Sequence, residues 1–350
     1  MSKILVIQQK MIGDVLTSSI LFEALREKYP DAELHHLIQP HTSPVVENNP
    51  FIDRLVFFDP QEYKGIKGLF KFAHQVRAQK YDIVIDVYAK LNSAIITAIS
   101  GAKTRISYKK WYTSSVYTKT FSLNKEPKTR AGVAIENRML LLQGIEKNFP
   151  VECKPKIYLK QEEISFARQR LSESGIGTEK PLIMIAILGS SPEKTYPAGY
   201  MAEILDFIVE KAGAQLIFNY NPKQEAEARA IVERCKPGTK RSIHFEVFGN
   251  GLREFLALTS HCDALIGNEG GAVNMAKAID IPTFSIFSPQ IEKKVWAVYQ
   301  DELNVAVHID DYLDQKNNST GERTYENFIP SLLQPHLDEF LKRLNLKYFR

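Results

Sequence analysis

Ala264-Leu265-Ile266-Gly267-Asn268-Glu269-Gly270-Gly271-Ala272-Val273-Asn274-Met275-Ala276-Lys277-Ala278-Ile279 is the stretch whose reading decides the fold. Its first four residues form an apolar, strand-like run, and Met275–Ile279 is helix-like. A glycine pair between a strand and a helix, here Gly270-Gly271, lets backbone come close to a ligand. The free N–H groups of the opening helix then face an anion with the helix dipole behind them, and a phosphate or diphosphate suits both. Two glycines after a strand also make an ordinary tight turn, so the rest of the chain has to choose between the readings.

The same alternation extends in both directions. Upstream and downstream in the second half, Leu182–Ile187, Gln215–Phe218, Ala264–Ile266 and Thr283–Phe287 read as strands. Ala198–Ala212, Gln224–Cys235, Leu252–Ser260 and Ala272–Ile279 read as helices. In the first half, strands are expected at Lys3–Gln8, Glu33–Ile38, Arg54–Phe58, Asp82–Val87 and, briefly, near Arg105. Helices are expected at Asp14–Tyr29, ending before Pro30, at Ile66–Gln79 and at Ser93–Ser100. Such βαβ repetition predicts an α/β protein with two Rossmann-like, doubly wound parallel-sheet domains. The mixed polarity and prolines of 148–181 place the boundary there. The expected division is 1–170 and 178–330, with 311–327 a polar loop and 331–350 a C-terminal segment whose amphipathic helix, Pro335–Leu346, folds back on the first domain. Ligands of open α/β sheets sit at the carboxyl ends of the strands, so a cleft between the two sheets is expected to hold them.

At 350 residues the chain is long enough for two ordinary domains with sizeable cores. The run Ile4-Leu5-Val6-Ile7 is too short for a signal-peptide core or a membrane span, and no other apolar run approaches about 20 residues. Cys153, Cys235 and Cys262 are odd in number and far apart, which fits reduced thiols in a cytoplasmic protein and gives no zinc spacing. The net charge of +4 hides an asymmetry: residues 1–175 hold 26 Lys+Arg against 18 Asp+Glu, and the remainder 19 against 23. Residues 60–160 are the most basic, with 19 basic and 7 acidic side chains. A polyanionic partner suits this region: a phosphorylated acceptor, an anionic membrane surface or nucleic acid. No helix-turn-helix, zinc-finger or RNP pattern supports nucleic acid.

Four segments carry candidate chemistry. After the first strand, Gly13-Asp14 replaces any G-x-G-x-x-G, which disfavours a classical dinucleotide site. Asp14 reads as a helix N-cap or as a general base for an attacking hydroxyl. Gly189-Ser190-Ser191-Pro192-Glu193-Lys194-Thr195-Tyr196-Pro197 follows a strand, and its small hydroxyl residues and N–H groups suit phosphate oxygens. Lys194 reads as a surface lysine or as the cation that neutralises a diphosphate leaving group. Asn219–Glu225, after the next strand, suits a ribose hydroxyl and equally suits helix capping. The eight histidines form no H-x-x-x-H or H-E-x-x-H pattern, and Asp310-Asp311 reads as a solvated pair.

Taken together, these segments resemble glycosyltransferase family 9, the ADP-heptose:lipopolysaccharide heptosyltransferases and their relatives. The resemblance spans about residues 3–290. It starts at Ile4–Ile7, Ile12–Thr17 and Leu25–Pro30 and includes Gly189-Ser190-Ser191…Lys194-Thr195-Tyr196-Pro197, with Tyr196 where the family has Trp. It continues through Glu269-Gly270-Gly271…Asn274–Ala278 and Ile281-Pro282-Thr283…Phe287-Ser288-Pro289. The departures are Glu269 for Asp, Gly270 for Thr, Asn274 for His, and Lys10-Met11 for small residues beside the base.

The resemblance implies a GT-B fold, with acceptor binding in the N-terminal domain and nucleotide-sugar binding in the C-terminal one. It implies inverting transfer of a sugar, heptose from ADP-heptose, to a lipopolysaccharide core or related lipid-linked saccharide. It implies no resident cofactor and no obligatory divalent metal. Asp14 matches the base and Lys194 the catalytic lysine, while Gly13, Ser190, Ser191, Glu269, Gly270, Gly271 and Asn274 fall at the donor. Gln224 or Glu225 falls near the ribose-binding glutamate. Lys64, Lys67, Lys71, Arg105 and Arg138 of the basic region are expected to hold acceptor phosphates. The protein is then expected in the cytoplasm, peripheral on the cytoplasmic face of the inner membrane, with no nucleic-acid partner. Other readings are a family 9 transferase with a different nucleotide-sugar, a nucleotide-sugar epimerase on the same fold, a nucleic-acid binder using the basic half, and a non-catalytic sugar-nucleotide binder.

Overall fold

A computed structural model describes residues 2–312 and 323–345; most of the expected polar loop 311–327, and Leu346 at the end of the expected last helix, lie outside the described residues. The chain forms two compact units, Met1–Tyr158 with Lys294–Val298, and Leu159–Lys293 with Tyr299–Arg350.

In the first unit the order is β1 (Lys3–Ile7), α1 (Ile12–Ser18), α2 (Ile20–Lys28), β2 (Glu33–Ile38), β3 (Arg54–Phe57), α3 (Gly65–Ala78), β4 (Ile83–Asp86), α4 (Leu91–Ile99), β5 (Thr104–Tyr108), β6 (Lys119–Phe121) and α5 (Val133–Leu142). The six strands form one parallel sheet in the order β3-β2-β1-β4-β5-β6. Residues Ile4–Ile7 of β1 are buried, as befits a central parallel strand covered on both faces. Strand order reverses between β1 and β4, so the loops after these two strands flank the switch point where doubly wound sheets bind ligands. Amphipathic α3 buries Leu69, Phe72, Ala73 and Val76 and leaves Lys67 and Lys71 in water.

The second unit runs α6 (Gln161–Glu173), β7 (Leu182–Ala186), α7 (Ala198–Ala212), β8 (Gln215–Asn219), α8 (Glu225–Val232), α9 (Pro237–Arg241), α10 (Leu252–Thr259), β9 (Ala264–Asn268), α11 (Gly271–Lys277), β10 (Thr283–Ile286), the short α12 (Lys293–Trp296) that leads into the first unit's 294–298, β11 (Asn304–Val307) and α13 (Pro330–Asn345). Its five parallel strands lie in the order β11-β10-β9-β7-β8, with the switch point between β7 and β9. The loop Leu188–Pro197 and the turn Glu269–Gly270 therefore leave the sheet side by side.

Four expectations differ from what is observed. The helix expected at Asp14–Tyr29 is broken at Ser19, because Thr17, Ser18 and Ser19 turn their hydroxyls back onto the carbonyls of Gly13, Asp14 and Leu16. The two units part between Tyr158 and Leu159, inside the stretch 148–181, so α6 belongs to the second unit and not to a first domain reaching 170. The last helix does not fold back on the first unit: Leu333, Leu337, Phe340, Leu341 and Leu344 of α13 join the second unit's core, where Phe340 meets Phe284 with ring centroids 5.7 Å apart. Strands β6 and β11 and helix α5 were not expected from the sequence.

Candidate active site

Asp14 lies in the first turn of α1, two residues inside Ile12, and the cap position is Met11. The capping reading of Asp14 therefore fails: its carboxylate makes no cap hydrogen bond and turns toward α5. There Arg138 donates to Asp14 Oδ1 at 2.7 Å. The guanidinium also donates to the Ala134 carbonyl at 2.7 Å and to Ser18 Oγ at 3.3 Å. Arg138 is 8 % exposed, so the pair is anchored from the protein side. The Asp14 side chain keeps 28 % exposure, so its carboxylate remains open to solvent.

Helix α5 is apolar on most sides yet buries three consecutive polar residues, Glu136, Asn137 and Arg138. Glu136 accepts from the Lys128 and Thr129 N–H groups, and Asn137 from Asn124 N–H, so the loop after β6 is fixed to the same helix that holds Asp14. Across the switch point, buried Asp86 at the end of β4 accepts from Tyr117 hydroxyl at 2.7 Å and from Ala89 N–H at 2.8 Å. Burial pushes its carboxyl up to about 6, against these hydrogen bonds, which pull it down. Tyr88, in the loop after β4, has its phenol raised first by burial and then by the charges of Asp14 and Asp86.

In the second unit the phosphate-loop candidate is tightly built. A side chain at Gly189 would run into the Lys194 carbonyl, so the loop closes only around glycine. Thr195 Oγ1 accepts from Gly189 N–H at 3.0 Å and donates to the Ser191 carbonyl at 2.8 Å. Ser190 and Lys194 point to solvent, and the Ser191 hydroxyl holds the Glu193 carboxyl below its usual range. Asn268 joins this loop to β9: its Oδ1 accepts from Tyr196 N–H at 2.7 Å, and its Nδ2 donates to the Ala186 carbonyl at 2.9 Å. Glu269 follows, half-buried; burial raises its carboxyl and the Lys194 ammonium pulls it back. Gly270 has φ +146°, a conformation that side chains rarely adopt, and it precedes the first turn of α11, where Asn274 is half-buried.

The remaining candidates divide. Lys64, Lys67 and Lys71 are exposed on the first turns of α3 and just before it. Arg105 is not available as an acceptor ligand: its guanidinium donates to the Val116 and Ala102 carbonyls at 2.8 and 2.7 Å and fastens the β5–β6 connection. Arg138 likewise is committed to Asp14, Ser18 and Ala134 and is not available as an acceptor contact. Of the two ribose candidates, Gln224 lies against the phosphate loop, donating to the Gly189 carbonyl at 3.3 Å, and Glu225 pairs outward with Arg229 at 2.9 Å. Asp310 and Asp311 are ion-paired, with Arg323 and Lys293, rather than merely solvated. Cys153, Cys235 and Cys262 are free thiols, each pushed up by burial. Among the described residues no helix is long and apolar enough to cross a membrane, and no cluster of three His, Cys, Asp or Glu is gathered at metal-binding distance. The sequence reading missed Asn268 as a brace, Glu136, Asn137 and Asp86; the polar triplet inside an apolar helix was the one signal that could have revealed the α5 pair.

The two doubly wound units have the GT-B fold, which they share with solved glycosyltransferases. A family 9 glycosyl transferase from Veillonella parvula DSM 2008 superposes with TM-score 0.83 at 20% identity, covering 98% of each chain. The Escherichia coli ADP-heptose lps heptosyltransferase II gives 0.74 at 17% identity, covering 97% of this chain and 99% of that one. Residues 69–324 match the profile of glycosyltransferase family 9 (heptosyltransferase), and the chain belongs to that family. Lipopolysaccharide heptosyltransferase 1 of Campylobacter coli is 23% identical over 296 residues, 81% of this chain and 83% of its own length.

Proposed function

We propose that this glycosyltransferase moves heptose from ADP-heptose to a phosphorylated, lipid-linked saccharide of the lipopolysaccharide core, with inversion at the anomeric carbon. The Asp14–Arg138 pair carries the reading: a carboxylate held from behind by a buried guanidinium and open in front is built to take a proton. Asp14 removes the acceptor hydroxyl proton; that oxygen forms a bond to C1 as the bond from C1 to the diphosphate oxygen breaks. The leaving ADP takes its charge to Lys194, the Ser190-Ser191 loop and the turn at Gly270-Gly271. Gln224 reaches the ribose. Lys64, Lys67 and Lys71 receive acceptor phosphates. The nucleotide-sugar is a co-substrate, no divalent ion is required, and transfer runs on the cytoplasmic face of the inner membrane. The names of the relatives support heptose and lipopolysaccharide, and the site's own chemistry supports base-assisted displacement.

The test combines ligand binding and turnover. ADP well above its Kd raises Tm, and UDP, GDP, CMP and NAD do not; a ligand at 100 times Kd adds about 2.7 kcal/mol. Asp14→Asn keeps that shift and loses about 10²–10⁴-fold in transfer to a lipid A–Kdo acceptor, and EDTA leaves transfer unchanged. A selective shift with another nucleotide removes ADP-heptose from the reading. Loss of the shift in Asp14→Asn removes the base. Turnover of donor without acceptor points to an epimerase instead.

A further inference from the structure

The connections that leave the carboxyl end of the first unit's sheet have an unusual surface. In the spatial order β1, β4, β5, β6, they present Met11 (65 % exposed), Leu91 (63 %), Trp111 (94 %) with Tyr112, and Leu123 (54 %). Singly exposed apolar side chains need no explanation. Four neighbouring connections that each expose at least one do, because the connections entering β2, β3, β4 and β5 at the opposite end expose no large apolar residue among those described. Each apolar residue also has lysine beside it: Lys10 before Met11, Lys90 before Leu91, Lys109-Lys110 before Trp111, and Lys125 two residues after Leu123. Glu126 is the only acidic residue in 8–11, 87–90, 109–118 and 122–132, and it is paired with Lys294 at 2.7 Å. Lys10, Lys90, Lys109 and Lys125 are exposed, whereas Lys110 donates to the Ala89 carbonyl.

Tryptophan and tyrosine favour the boundary between water and lipid, where an apolar ring and a polar edge are both accommodated. Lysines beside them cover apolar surface with their stems and reach headgroup phosphates with their tips. We propose that the carboxyl end of this sheet, from Met11 to Leu123, docks on an anionic lipid bilayer, with Trp111 inserting and the flanking lysines against the headgroups. A second copy of the chain is the poorer occupant, since it would bring the same positive charges together. The proposal rests on the lipid-linked acceptor argued above and adds the surface that meets it: Asp14 lies three residues beyond Met11, so docking sets the base at the headgroup layer where an acceptor sugar stands.

Flotation with phosphatidylethanolamine–phosphatidylglycerol vesicles, against phosphatidylcholine vesicles, tests it. The chain has two tryptophans, so Trp296→Phe leaves Trp111 as the only reporter. On the anionic vesicles its emission is expected to shift to the blue and to be quenched by brominated acyl chains. Trp111→Ser with Leu123→Ser weakens partitioning at least about tenfold. Lys109→Gln with Lys125→Gln weakens it roughly 25-fold, at about fivefold per lysine, and flattens the salt dependence. Each variant keeps the wild-type far-ultraviolet circular dichroism. The proposal is overturned if the wild type does not float at low salt, if Trp111→Ser/Leu123→Ser floats unchanged, or if that variant instead turns a dimer into a monomer in sedimentation velocity. Flotation reads no transfer, so the two readings separate. A protein that docks and transfers no heptose loses the proposed function alone, and one that transfers in detergent and ignores vesicles loses the docking surface alone.

Discussion

Arg138→Met separates the holding of the base from its chemistry. Methionine is apolar and of similar length, so it fills the buried site and withdraws all three hydrogen bonds, of which only one, the 2.7 Å contact to Asp14 Oδ1, touches the carboxylate. A hydrogen bond to a charged group is worth about 1.5–3 kcal/mol. Asp14 is 28 % exposed and water partly replaces its lost partner, so the lower half of that range applies. About 1.5–2 kcal/mol of misplaced base corresponds to a fall of roughly 10–30-fold in kcat. Donor KM should not change, because the residues proposed to bind ADP, Gly13 apart, belong to the second unit. The assay is steady-state transfer from ADP-heptose, run on wild type, Arg138→Met, Asp14→Asn and the double variant. If Arg138 acts through Asp14, its removal costs less than about threefold once the carboxylate is already gone, a non-additivity that contacting residues show. The reasoning is refuted if Arg138→Met costs the same factor in both backgrounds, or if donor KM rises while kcat stays.

Asn268→Ala leaves the buried Tyr196 N–H without its acceptor and withdraws a donor from the Ala186 carbonyl, and should cost about 1–3 kcal/mol; an unchanged urea midpoint would remove Asn268 as a brace. Gly267, with φ +137° and the Ala186 carbonyl where a Cβ would sit, admits no side chain, so Gly267→Ala should destabilise by several-fold more than the roughly 1 kcal/mol of an ordinary glycine replacement; equal stability refutes the close approach. Burial raises the Asp86 carboxyl from 3.8 to about 6, so the folded chain keeps a proton that the unfolded chain releases between those values. Stability therefore falls as pH rises through that window, by about 3 kcal/mol, and the difference between wild type and Asp86→Asn should change by that much between pH 3.5 and 7; a constant difference refutes it. Neutralising Lys64, Lys67 and Lys71 together should raise acceptor KM and leave donor KM alone, and an unchanged acceptor KM excludes them as phosphate contacts.

Helix α7 shows what local sequence can specify. Its expected and observed spans coincide at Ala198–Ala212, because Pro197 stands at the N-cap and Gly213, with φ +61°, takes the left-handed position after the last turn. Where punctuation was absent, periodicity misled. The apolar pattern from Asp14 to Tyr29 is continuous, and only the competition of three hydroxyls for helix carbonyls divides it. Helix α5 lacks the one-sided stripe that marks a surface helix, since nearly all of its residues are buried, and the three-residue strand β6 carries too few positions to show a period. The site followed the same division. Gly13-Asp14 and the Gly189–Lys194 loop were legible because a strand-to-helix turn announces itself locally. The partner of Asp14 was not, because Arg138 is 124 residues away and basic residues look alike in sequence. Only packing distinguishes Lys67, in water, from Arg105, fastened to two carbonyls, and from Arg138, behind the base.

The segment between β9 and α11 also explains how this chain can keep its fold and still differ from its relatives at the turn proposed to hold the donor. Two positions there are fixed by the protein itself: Gly267, which must let the Ala186 carbonyl approach, and Asn268, which ties β7, β9 and the phosphate loop together. The departures fall beside that frame, at Glu269, Gly270 and Asn274. None of these three has a packing duty of the kind that Gly267 and Asn268 carry: Glu269 and Asn274 are half-buried, and a side chain at Gly270 would meet open space. Glu269 is electrostatically coupled to Lys194, so on the proposed reading a carboxylate one methylene longer than Asp would change how that ammonium is shared between protein and diphosphate. Gly270 at φ +146° takes a turn that a threonine could adopt only under strain, which moves backbone N–H groups, not a hydroxyl, to the front of α11. Selection among the proposed nucleotide-sugar donors can therefore act on Glu269 and Asn274 without disturbing the sheet: exchanging these two for Asp and His should alter donor preference far more than stability, whereas Gly270→Thr should also cost about 1–3 kcal/mol of backbone strain.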